Sequence, residues 1–132
     1  MLDRNLRADR SWTRGAIALA ERRAGDAVSA LRIAAESHSC PICMLPALAR
    51  AEEAAGEPRA AIATYERYLS TPWFWRYEPD AVDLGWAMKR LAELRESQDD
   101  TAGAADARSQ LRQLWRKADP DVRASGRLDP RR

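Results

Sequence analysis

Ala24-Gly25-Asp26 opens the stretch AGDAVSALRIA (24–34), and Ala55-Gly56-Glu57 opens AGEPRAAIATY (55–65). The two glycines lie 31 residues apart, and sixteen residues after each comes a proline, Pro41 and Pro72. A third copy, DDTAGAADARSQL (99–111), carries Asp99 at the glycine position, 43 residues beyond Gly56. Alanine-rich stretches with a helical period flank each copy. A recurrence at this spacing, with a turn inside the unit, is the mark of stacked helical hairpins. One hairpin cannot bury its apolar face alone, so about three are needed for a continuous core. The expectation is an all-α chain of three hairpins in a right-handed stack.

The helices follow from the punctuation. The first runs from about Leu6 or Ser11 to Ala24, with Trp12, Ile17, Leu19 and Ala20 as its apolar positions and Gly25 as a left-handed C-cap. Asp26 caps the second, about 27–36, whose inward positions are Val28, Leu31 and Ala34 or Ala35. Pro41 opens the third, which reaches Ala55 through Leu45, Leu48 and Ala49. Gly56 breaks it, and Pro58 sits where a first helical residue has no N–H to satisfy. The fourth faces Ala61, Ile62, Tyr65 and Leu69 inward. The segment TPWFWRYEPD (71–80) is an insertion too rich in proline for plain helix. A fifth helix then runs from about Glu78 or Asp80 to Gln98 through Leu84, Met88, Leu91 and Leu94. Asp99 or Asp100 caps a sixth through Ala104, Ala105, Leu111, Leu114 and Trp115, stopped by Asp119-Pro120. The domain reading is an extension over 1–10, a repeat domain over 11–118 and a tail over 119–132.

Composition narrows the function. Of 132 residues 45% are apolar, and 22 basic residues stand against 20 acidic ones for a net charge of +2. That balance carries no electrostatic case for nucleic acid. No apolar run approaches the roughly 20 residues of a membrane span. The start MLDRNLRADRSW has arginines without an apolar core after them, unlike a signal peptide. With two cysteines, this points to a cytoplasmic protein.

With the repeats in place, the chain resembles tetratricopeptide (TPR) units, which set small residues at helix contacts and large apolar ones between them. Leu45, Leu48, Ala49, Ala61, Tyr65 and Pro72 fit that pattern in the second unit. Met88, Leu91, Ala92, Ala104 and Leu111 fit it in the third, and Ile17, Ala18, Ala30 and Leu31 fit it more loosely in the first. Where the family has a tyrosine on the first helix, this chain has Glu21, Glu52 and Arg95. These weaken the seam or make polar contacts of their own. A narrower likeness, over residues 11–123, links HSCPICMLPALARAEEAAGEPRAAIATYERYLSTP (38–72), LAELRE (91–96) and LRQLWRKADPDV (111–122). It is similar to the C-terminal repeat tail of bacterial multidomain regulators such as eukaryotic-like serine/threonine kinases or transcriptional activators. No Gly-rich phosphate loop, H-R-D or D-F-G is present, so kinase activity does not carry over.

The resemblance implies a non-catalytic scaffold that binds a protein or peptide, without cofactor, nucleic acid or membrane, and compatible with a homodimer. Its inner face would hold Trp12, Leu19, Arg22, Cys43, Arg50, Glu53, Trp86, Lys89, Glu93 and Glu96. Trp73, Phe74, Trp75, Arg76 and Tyr77 concentrate the residue types that dominate interface energetics. The partner-binding set is Trp73, Trp75, Arg76, Tyr77, Arg50, Trp86 and Lys89. The alternative for the aromatic segment is burial against the hairpins. The cluster with chemical potential is His38-Ser39-Cys40-Pro41-Ile42-Cys43. The plain reading packs both cysteines as small apolar side chains. The alternatives are a metal site, with His38, Cys40 and Cys43 as three ligands and no fourth in view, or a redox loop lacking the usual strand context. The leading function is therefore a scaffold, and the alternative is a thiol- or metal-based sensor at the H-x-C-P-x-C segment.

Overall fold

The computed structural model describes residues 2–117. Six α-helices follow one another: α1 (Leu2–Ala20), α2 (Ala24–Ser37), α3 (Leu45–Ala54), α4 (Pro58–Ser70), α5 (Tyr77–Ser97) and α6 (Thr101–Leu114), closed by a short 3-10 turn at Trp115–Lys117. There is no strand among the described residues. The described residues make an all-helical fold, and the helices pair in sequence as α1 with α2, α3 with α4, and α5 with α6. They form two compact units. Residues 1–76 contain the first two hairpins, joined by α2 against α3, and the unit beginning at Tyr77 contains the third. The expectations about Asp119-Pro120 and the tail 119–132 fall outside the described residues.

One turn is used three times. Arg22, Gly56 and Asp99 have positive φ values of 60°, 74° and 64°. At each, the left-handed residue donates its N–H three residues back, to Leu19, Glu53 or Glu96. The next residue donates five residues back, from Arg23 to Ala18, Glu57 to Glu52 and Asp100 to Arg95, at 2.8–2.9 Å. This is the Schellman pattern, which satisfies the last carbonyls of one helix while reversing the chain into the next. The turns recur after 34 and 43 residues.

The first hairpin therefore differs from its sequence reading. Arg22, not Gly25, takes the left-handed position, at a steric cost of about 1–2 kcal/mol for a residue with a Cβ. Gly25 and Asp26 instead lie in the first turn of α2. The residue matching Glu52 and Arg95 is then Ala18, three positions before Glu21. Glu21 is exposed and bonded to Arg23.

The buried side of α1 also differs. Trp12 and Ile17 are 42% and 51% exposed, whereas Ala8, Gly15 and Ala18 face α2. Small residues win that side because α2 comes so close. An ideal Cβ on Gly15 would stand 2.5 Å from Leu31 Cγ. α1 also begins earlier than its apolar pattern suggested and takes in residues 2–10. Asn5 anchors that turn by accepting from Ser39 N–H (3.0 Å) and donating to Ser39 Oγ (2.9 Å).

Elsewhere much of each apolar stripe holds, while Ile62 and Leu69 of α4 and Leu84 and Met88 of α5 are only half-buried. Val28, Leu31, Ala34 and Ala35 of α2 are buried, as are Leu45, Leu48 and Ala49 of α3 and Ala61 and Tyr65 of α4. Tyr68 joins them at 0% exposure, although its position was not read as inward. α3 starts at Leu45 rather than at Pro41, because residues 38–44 form an irregular connection and Pro46 occupies the first turn. In the second unit Leu91, Leu94, Ala104 and Leu111 are buried as read, while Ala105 and Leu114 are exposed. Asp100 caps α6 by accepting from Gly103 N–H at 2.9 Å.

Gly56 has no heavy atom within 4 Å of an added Cβ, so its demand is conformational rather than steric. Gly56→Val is expected to lower stability by about 1 kcal/mol or slightly more, read as a drop in melting temperature with helix content unchanged at 20 °C. An unaltered melting temperature would disprove the role of the turn.

Candidate groove and cysteine loop

α1 and α3 are rich in alanine, and methyl groups cannot fill the space between two helix axes. Ala16 and Ala20 of α1 and Ala47 of α3 leave a groove of about 380 Å³ in the first unit. Leu31, held against Gly15, forms its floor, and Trp12, Leu19 and Arg50 complete the lining. Three of the expected inner-face residues, Trp12, Leu19 and Arg50, are thus brought to one concavity. Trp12 stands partly out of it at 42% exposure, and Arg50 is exposed. Ala20 is one of the apolar positions expected of the first helix, whereas nothing in the sequence points to Ala16 and Ala47 beyond the small side chain, which reads equally well as helix packing.

The other expected binding residues are dispersed. Phe74 and Trp75 are exposed, at 77% and 54%, and Trp73 is half-buried. Their rings form a chain, with centroids 4.9 Å apart for Trp73–Phe74 and 5.3 Å for Phe74–Trp75. Arg76 turns back onto its own unit. Its Nη1 donates to the carbonyls of Tyr68 (3.0 Å) and Thr71 (2.7 Å), and its guanidinium lies 5.2 Å from the Tyr68 ring centroid. A cation at the last carbonyls of α4 suits the negative end of the helix dipole. Tyr77 is the exposed first residue of α5. Trp86 and Lys89 lie farther along α5 in the second unit, both half-buried, with Lys89 Nζ 3.9 Å from Glu93.

Two of the charged positions on the first helices do make polar contacts. Glu52 is 3% exposed, yet its carboxylate accepts from Thr64 Oγ1 (2.7 Å) and lies 3.6 Å from Arg32 Nη2. Arg95 Nη1 donates to the Gly103 carbonyl at 2.9 Å, and its Nε is 3.7 Å from Asp100.

The loop between α2 and α3 holds the remaining chemistry. Cys40 and Cys43 are joined in a disulfide, so the sulfurs are bonded to each other rather than packed as separate apolar side chains. Cys40 is 7% exposed. His38 Nδ1 accepts from Cys40 N–H at 3.0 Å, and Cys43 N–H donates to Cys40 Sγ at 3.2 Å. His38 Nε2 faces Asp9 of α1 at 3.9 Å. The cysteine pair can cycle between disulfide and thiol, and only in the reduced form would the two sulfurs and the His38 nitrogen be a ligand set for a thiophilic metal.

No protein-family model, no curated protein and no solved structure matches the chain. Among the described residues, no helix is long and apolar enough to cross a membrane.

Proposed function

We propose that the chain is a non-catalytic protein-interaction module, a TPR-like array of three helical hairpins that holds a peptide of a partner protein in the groove between α1 and α3. The observation that carries this reading is the groove itself. Its floor is apolar, its walls are alanine, and one indole and one guanidinium stand at its edge. Such a surface suits a peptide that offers an aliphatic anchor to the alanine walls and an acidic side chain or terminal carboxylate to Arg50. Support for the TPR-like arrangement comes from the threefold recurrence of one Schellman turn, with Ala27, Ala61 and Ala104 each buried five residues after the left-handed residue. The exposed rings of Phe74 and Trp75 form a second contact region, where a longer partner would continue. Regulatory scaffolding in a bacterial cytoplasm is the setting in which we place it.

Panning a random peptide library against the domain tests the reading, followed by fluorescence polarisation of the selected peptides. Trp12→Ala is expected to weaken binding about 30-fold, since an aromatic anchor truncated within an interface costs about 2 kcal/mol. Arg50→Glu is expected to shift selection away from acidic sequences. Peptides that bind both variants as tightly as the parent would remove the groove from the function. Loss confined to Trp73→Ala with Trp75→Ala would move the site to the aromatic segment.

A further inference from the structure

Counting ligands in the sequence leaves a metal site one group short, with His38, Cys40 and Cys43 and no further Cys or His. The tertiary structure adds a group from a different helix. Asn5 and Asp9 lie one turn apart on α1. Asn5 holds Ser39 through two hydrogen bonds, which fixes the loop so that His38 Nε2 comes to 3.9 Å from the Asp9 carboxylate. The other ring nitrogen, Nδ1, faces the cysteine loop, where it accepts the Cys40 N–H. The imidazole therefore has its acceptor nitrogen toward the sulfurs and its N–H toward a carboxylate. A metal-ligating histidine commonly donates its other N–H to a carboxylate, and at 3.9 Å the Asp9 oxygen stands just outside hydrogen-bond length, near enough to take that N–H as the site closes.

We propose that the reduced chain is a Cys₂His site for a thiophilic divalent cation such as Zn²⁺. Cys40, Cys43 and His38 Nδ1 are its ligands, Asp9 is the positioning residue, and a fourth coordination place is left to solvent. The ligand atoms of the three residues all lie within 4.8 Å of one another. Tetrahedral zinc, with bonds of about 2.3 Å to sulfur and about 2.0–2.1 Å to nitrogen, holds its ligands about 3.5–3.8 Å apart. A shift on the order of an ångström therefore closes the site, and the ion takes the place of the Cys40 N–H at Nδ1. Reduction comes first. Two molecules of a small thiol, or one dithiol, cleave the S–S bond and leave as their own disulfide, and each cysteine sulfur gains a proton. The cation then displaces those two protons to solvent and binds both thiolates. The oxidised chain cannot bind this way, so the loop responds to redox conditions by gaining or losing a metal.

The test is an anaerobic Co²⁺ titration of the whole chain, oxidised and after phosphine reduction and desalting, followed by visible absorption. Reduced protein is expected to show a sulfur-to-cobalt charge-transfer band and the d–d intensity of a tetrahedral ion, at one ion per chain, bleached by Zn²⁺. Oxidised protein and the Cys40→Ser, Cys43→Ser double variant are expected to show neither. Asp9→Asn is expected to keep the charge-transfer band and to bind about 10- to 100-fold more weakly, with Asp9→Glu restoring most of the loss. Absence of the band from reduced protein overturns the site, and so does an equal band in the double cysteine variant. Unchanged affinity in Asp9→Asn overturns the part assigned to Asp9. Circular dichroism is recorded alongside. A chain that loses its helices on reduction and binds no Co²⁺ also refutes the proposal, because the site needs α1 and α2 in place.

Discussion

Gly15→Val is expected to destabilise the first unit by about 3 kcal/mol, at the upper end of what overpacking costs. The new Cβ alone would meet Leu31 Cγ at 2.5 Å, and Leu31 is 1% exposed, so neither atom has room to yield. Contact at Cγ, the branch point of the side chain, is not relieved by turning a methyl group. α1 and α2 must move apart, which also disturbs the floor of the groove. Valine recovers only a few tenths of a kcal/mol over glycine through helix propensity. The measurement is a thermal or urea melt of Gly15→Val beside a double-mutant cycle with Leu31→Ala. Leu31→Ala alone leaves a cavity and costs about 2–5 kcal/mol. If the contact is real, the double variant is more stable than the sum of the single losses implies, because the valine fills part of that cavity. Strict additivity would show that the two residues do not meet.

Glu52→Ala is the second large effect, expected at about 2–3 kcal/mol. The carboxylate is buried on α3, bonded to Thr64 on α4 and facing Arg32 on α2, so one side chain links both hairpins of the first unit. The Arg32 side chain is 52% exposed and 3.6 Å away, which screens that pair and keeps its share small. Most of the loss comes from the Thr64 hydrogen bond and the cavity left behind. Glu52→Gln keeps an acceptor for Thr64 and the same volume, and should cost only about 1 kcal/mol. The ordering of the two variants is the test. Equal losses would mean that charge, not hydrogen bonding and packing, holds Glu52 in place. A loss below about 0.5 kcal/mol for alanine would mean that the site collapses without consequence.

Glu52 also shows how far sequence reading goes. A glutamate where a helical repeat calls for a large apolar residue is visible as an anomaly. Its resolution depends on Thr64 and Arg32, which reach it from two other helices. Arg22 makes the same point in the backbone. Nothing in its side chain announces a left-handed residue, and Gly25 three positions later was the better local candidate. The turn falls at Arg22, whose N–H and that of Arg23 close onto the carbonyls of Leu19 and Ala18 as the helix ends at Ala20.

Local chemistry alone determined that the chain is helical, where α4, α5 and α6 begin to within a residue or so, and that Val28, Leu31, Leu45, Leu48 and Tyr65 are buried. Helix propensity, proline, the Gly56 turn and the Asp100 cap act over a few residues, so they are written in the order of the chain. Tertiary structure decided what depends on distance across it. It turned Trp12 outward by bringing Leu31 against a glycine, opened a groove where alanines from two helices fail to fill space, and divided the helices between two units. It also set Asp9 beside His38 and Asn5 beside Ser39. Those pairings arise because α1 and α2 pack along their whole length, which brings residues some thirty positions apart within reach of each other.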